Sequence, residues 1–153
     1  MTAKTRTTFA MATVLASALA LTGCSVFGPS GPPRGDDGQV TETTVIKSTQ
    51  LLEGDCFTFV EGSNANDAEV TPCSKDHQYV VIGQGSLSQS EVDSAGGLQN
   101  AVSAACKDTF EAFKAEAAEG VRPEQEFIVS QVTEDDVVTT NYSCVATDGS
   151  GAS

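Results

Sequence analysis

Tryptophan is absent from these 153 residues, histidine occurs once, and eight lysines and arginines stand against 21 acidic residues. With one histidine, His77, a Ser-His-Asp triad or a multi-histidine metal site would have to be built around a single ring, and no nucleophile motif accompanies it. No Cys-x-x-Cys pair occurs, which argues against a thioredoxin-like redox centre or a zinc ribbon. A formal charge of −13 would repel phosphate, so nucleic acid is an implausible partner. No internal repeat is present, and no motif implies a cofactor.

Long apolar runs are missing too. The longest, Phe9 to Leu21, is about 13 residues, short of the ~20 that a bilayer span needs. It follows a short cationic stretch with Lys4 and Arg6 and leads into Leu21-Thr22-Gly23-Cys24, a pattern matching a lipobox. The expectation is that residues 1–23 are a lipoprotein signal peptide and that Cys24 carries a diacylglyceryl thioether. Two acyl chains, at about 0.8 kcal/mol per buried methylene, would hold the chain stably on the extracytoplasmic face of the cell membrane, anchored but not spanning. An ordinary signal with a chance cysteine is the alternative, but the spacing of Cys24 from the apolar run favours the lipobox. Losing Lys4 and Arg6 leaves six basic residues against 21 acidic ones, a formal charge of −15. That charge disfavours contact with anionic headgroups and would steer a cationic partner towards the domain.

From Ser25 to Gln50 the chain is rich in Gly, Pro, Ser, Thr and charge, so residues 24–50 are expected to be the lipidated cysteine and a flexible tether. As a coil of about 26 residues it would reach roughly 25 to 30 Å. Residues 51–147 are expected to form one domain and residues 148–153 a disordered tail. Four cysteines remain in the domain, an even number suited to disulfides outside the reducing cytosol.

Within the domain, Asp55 to Val60 alternates like a strand, and Ala68 to Cys73 can return beside it as a hairpin. The register that sets Cys56 opposite Cys73 also sets Phe59 opposite Val70 and Phe57 opposite Pro72, with the apolar side chains on one face. Gln78 to Ile82, Phe127 to Val129 and Val137 to Ala146 read as further strands. Between them Leu98, Val102, Cys106, Phe110, Phe113 and Ala117 form one helical stripe, with Gly120 and Pro123 as the stop. Ser88 and Glu91 form a capping box, and Gly96-Gly97 break the helix after a short first turn. The hairpin leaves Cys106 to pair with Cys144, stapling helix to sheet. The fold class expected is α+β, a small disulfide-stapled antiparallel sheet with one long helix packed on it.

Leu52-Glu53-Gly54-Asp55-Cys56-Phe57, Val70-Thr71-Pro72-Cys73 with His77, the helical Cys106 and the terminal Cys144 together resemble the septum formation domain of actinobacterial envelope proteins. The resemblance covers most of Leu51 to Ala146. It implies an extracytoplasmic, membrane-associated role near division or envelope growth, and no known catalytic chemistry.

The candidate binding residues are Glu134, Asp135 and Asp136, an acidic run between two strands without EF-hand spacing, and His77, beside Asp76 and near Ser74. Glu116, Glu119, Glu124 and Glu126 form a looser acidic patch near the helix end, where they oppose the helix dipole. Asn141-Tyr142-Ser143 matches a glycosylation sequon that is coincidental in a bacterial strand. The function expected is a non-catalytic binding module of the envelope, with a cationic protein or cell-wall partner. An envelope hydrolase or metal-binding protein around His77 is the alternative.

Overall fold

The computed structural model describes residues 31–147. The expected signal sequence, Cys24 and the tail at 148–153 lie outside the described residues. The fold is α+β, as the residue pattern predicts. Six antiparallel strands form one sheet in the order β1-β3-β2-β4-β6-β5. They are β1 (Thr44–Lys47), β2 (Cys56–Phe59), β3 (Asp67–Thr71), β4 (Tyr79–Ser88), β5 (Gln125–Glu134) and β6 (Val137–Thr147). Between β4 and β5 come a short helix α1 (Gln89–Ser94) and the long helix α2 (Leu98–Glu116).

Period-2 alternation sorts the side chains onto two faces. On one, Phe57, Ala68, Val70, Val81 and Val145 form a core with Val40 and Leu51, and the rings of Phe57 and Tyr79 stack at 5.4 Å. On the other, α2 lays Val102 and Cys106 over Cys144, flanked by Ile82, Leu87, Phe127 and Tyr142. Two disulfides, Cys56–Cys73 and Cys106–Cys144, have Cα separations of 5.2 and 5.4 Å. They close loops of 17 and 38 residues. By loop entropy they contribute about 3 and 4 kcal/mol. The second bolts α2 to the sheet.

Helix α1 starts on the expected capping box. Ser88 Oγ accepts from the Glu91 N–H, and the Glu91 carboxylate accepts from the Ser88 N–H at 2.8 Å. The Ser88 hydroxyl also donates to the Glu91 carboxylate at 2.7 Å, and this bond first, then the one from the Ser88 N–H, holds the Glu91 carboxyl below its ordinary value. The cap is therefore complete near neutral pH and is lost as pH falls through that lowered value. Gly96 and Gly97, both at positive φ, make the break, and α2 begins directly after Gly97. It ends at Glu116, short of Gly120 and before Ala117 of the expected stripe. Acidic side chains crowd this end, and its one basic residue, Lys114, is paired with Glu111 at 2.8 Å.

Three expectations need correction. The hairpin register is shifted by two, with Cys56 opposite Thr71, Phe57 opposite Val70 and Phe59 opposite Ala68. Pro72 has no N–H for a ladder and ends β3 instead of joining it. The shift is even, so every side chain keeps its face, and Cys73 still reaches Cys56 from beyond the strand end. Second, β4 runs on through Gly83 and Gly85 to Ser88, past the expected end at Ile82. A Cβ at Gly85 would sit 2.6 Å from the Tyr142 ring, so that ring could not keep its place over any other residue, and one at Gly83 would sit a tight 3.2 Å from Thr109 of α2.

Third, the tether does not extend to residue 50. Arg34 bridges Val40 around a Gly35-to-Gly38 turn, Val40 is buried, and Thr44–Lys47 is an edge strand on β3. A short 3-10 turn at Ser48–Gln50 then leads into the buried Leu51. What fixes the segment is Asp55, only 2% exposed. Its two oxygens accept from Arg34 Nη1 at 2.6 Å and Nη2 at 2.8 Å, and Oδ2 also accepts from the Leu52 N–H at 2.8 Å. The hydrogen bond to Asp55 raises the Arg34 guanidinium above its ordinary value.

Removing either partner strands the other, so Arg34→Ala and Asp55→Ala are each expected to cost about 3 to 5 kcal/mol by urea unfolding. The double variant Arg34→Ala with Asp55→Leu should cost less than the two singles added together.

Candidate functional site

The sheet face opposite α2 is covered at one end only. Val40 and Leu51 lie over β2, β3 and the near parts of β4 and β6, Ile128 of β5 packs against the edge of that core, and the 3-10 turn lies close to β5. Further along, the same face of β4, β6 and β5 is open. There Gln84, Ser86, Ile128, Ser130, Asn141 and Ser143, with Thr49 on the rim, line a hollow of about 370 Å³. Gln84 Nε2 closes its inner end by donating to Leu51 O at 2.9 Å and to Ser143 Oγ at 2.8 Å.

The hollow continues along the sheet past Asn141 into a second one lined by Val132, Glu134, Asp135, Val137 and Thr139. By strand alternation Ile128, Ser130, Val132 and Glu134 share a face with Val137, Thr139, Asn141 and Ser143. The result is one groove from Thr49 to the β5–β6 turn. Its wall is made of hydroxyls, amides and small apolar surface, with its carboxylates at the outer end. Such a wall can hydrogen-bond and pack against an extended ligand. It contains no histidine or cysteine.

The acidic run forms that outer end. Asp135 and Asp136 are the two loop residues of a tight hairpin closed by Glu134 opposite Val137, and both have positive φ, 47° and 64°. Left-handed backbone at two successive residues is the type I′ arrangement, which favours Asn-Gly over Asp-Asp. All three acids are exposed. His77 lies elsewhere, between β3 and β4, where its Nδ1 hydrogen-bonds Lys75 O at 2.7 Å. The structure therefore separates His77 from the acidic run. Among the described residues no three His, Cys, Asp or Glu side chains form a metal-ligand group, and no helix is long and apolar enough to cross a membrane. The looser acidic patch contributes Glu126, on the groove face of β5. There it lies near Tyr79, whose hydroxyl is pushed up by burial and then by that negative charge.

The groove residues Gln84, Ser86, Ser130, Asn141 and Ser143 are absent from the sequence-based expectation. Their signal was present: Thr139, Asn141 and Ser143 alternate with Thr140, Tyr142 and Cys144, marking one face of β6 as uncovered. Comparison with protein families, characterised proteins and solved structures finds no match to this chain.

Replacing Asp135-Asp136 with Asn-Gly relieves the left-handed strain and is expected to stabilise the domain by about 1 kcal/mol. Thermal unfolding should rise by roughly 4 °C or more. An unchanged or lowered midpoint would contradict the turn geometry.

Proposed function

We propose that the chain is a lipid-anchored extracytoplasmic binding module, non-catalytic, acting where envelope is built or a septum forms. The observation that carries this reading is the open groove on a sheet bolted from behind by Cys106–Cys144, a rigid concave surface of hydroxyls, amides and small apolar side chains. The two disulfides suit an oxidising compartment. The lipobox at Cys24 and the resemblance of Gly54-Asp55-Cys56-Phe57 to septum formation domains support the location. The charge supports the partner. At −15 once Lys4 and Arg6 are removed, with Glu134 and Asp135 at the groove mouth and Asp136 beside them in the turn, the domain would draw a cationic protein or wall component by steering.

Mass spectrometry of the membrane fraction should find Cys24 diacylated, and Cys24→Ser should abolish both the lipid and membrane retention. A tagged lipidated copy should concentrate at sites of envelope growth, and partner capture from intact cells should weaken as salt rises past ~0.15 M, where screening acts within about 8 Å. Uniform distribution with salt-indifferent capture would overturn the reading. Turnover of an envelope substrate lost in His77→Ala would favour a hydrolase instead.

A further inference from the structure

The two edges of the sheet are unlike. β1 is four residues long and ends in Lys47, paired with Asp67 at 2.6 Å, so it is blunted by shortness and a charge. β5 is ten residues long, has no Pro or Lys, and pairs with β6 in unbroken register from Gln125 to Glu134. Among the described residues nothing pairs with its outer side. Thr147 N–H donates to Glu124 O at 3.0 Å, and a two-residue turn closes the far end, so even-numbered residues of β5 bond to β6. The N–H and C=O groups of Phe127, Val129, Gln131 and Thr133 therefore face outwards. Val129 and Val132 are 37% and 42% exposed on this strand.

We infer that the β5 edge takes an extended basic polypeptide segment as a seventh strand. This rests on the binding-module reading and names its partner. Charge decides the occupant. Every ionisable side chain of β5, its turn and β6 that could face an added strand is acidic: Glu126, Glu134, Asp135 and Asp136. Glu126 and Glu134 lie on the groove face eight positions apart, roughly 27 Å, with Ile128, Ser130 and Val132 between them. A complementary strand carries basic residues eight apart on one face, with small or β-branched residues between, and extends the groove floor. A second copy of this chain in the symmetric register is disfavoured. An antiparallel β5 pair centred on Ser130 sets Glu126 of one copy against Glu134 of the other, and like charges directly opposed are destabilising.

The test uses the full-length protein in nanodiscs and a labelled, end-blocked ten-residue peptide. Its lysines stand at positions 1 and 9, with threonine and valine between. Fluorescence anisotropy should show binding that falls about tenfold or more when both lysines become glutamate, or in Glu126→Gln with Glu134→Gln. Amide exchange should slow at Phe127, Val129, Gln131 and Thr133. Val129→Pro removes an outward donor without touching the β6 ladder, so its near-UV spectrum should be native and its binding lost. If that variant fails to fold, peptides N-methylated on alternate amides decide: one alternation should abolish binding and the other retain it. Equal binding of both methylated peptides, or tight binding by folded Val129→Pro, overturns the edge. So does an absence of peptide binding while salt-sensitive partner capture persists in cells, which leaves the groove reading standing. Loss of capture as well removes both.

Discussion

A carboxylate enclosed by protein must be charged and matched or it costs several kcal/mol, and Asp55 is almost wholly enclosed. Its match is Arg34, held in a fork of two bonds from 21 residues away. Much else depends on that contact. It pulls residues 34–51 back over the sheet, so Val40 and Leu51 can finish a core that Phe57 and Val70 begin. It sits inside the Gly54-Asp55-Cys56-Phe57 run, whose other members are equally committed. Gly54 N–H donates to Val81 O at 2.8 Å from a left-handed backbone, Cys56 is disulfide-bonded, and Phe57 is fully buried. The segment of most distinctive sequence is thus a structural clamp.

The groove exists because that returning segment is short. Leu51 reaches Gln84, which ties itself to the Leu51 carbonyl, and the 3-10 turn sets Thr49 beside Ile128 and Ser130 on the rim of the hollow; towards the β5–β6 turn the described residues place nothing over that face. On that bare face Ser130, Asn141 and Ser143 present polar groups to water, with Ile128, Val132 and Val137 leaving apolar surface between and beyond them. Its floor is stiff because Cys144 is tied through Cys106 to the middle of α2.

Period and cysteine parity made the architecture legible in the sequence. Alternation located the strands, spacing by three and four located α2, and the pairing of Cys56 with Cys73 survived a register error because an even slip preserves faces. The closed N-terminal segment was not legible, since no local pattern announces an ion pair between Arg34 and Asp55, and its Gly, Pro and Thr content matches a linker. Thr44 to Ile46, a β-branched run, was the one local hint. The groove was partly legible, through the polar face of β6, but only the topology shows that among the described residues its outer part is uncovered. Of the candidate residues, the acidic run lies at the groove mouth and His77 does not.

Under the lipid anchoring proposed at Cys24, the clamp would also limit how far the molecule stands from the membrane. From Cys24 to Gly31 there are seven chain steps, which span at most about 25 Å however they are arranged. With a lipid on Cys24, the Arg34 end of the sheet is confined to a thin layer above the bilayer. The β5–β6 turn lies at the opposite end of β6 from Val145, roughly 27 Å further along the strand. A body on so short a leash moves in two dimensions rather than three, and any partner fixed in the same layer meets it at a raised effective concentration. On that proposal, weak contacts at the groove would give stable occupancy without high intrinsic affinity, and opening of the clamp would lengthen the leash and dilute that advantage.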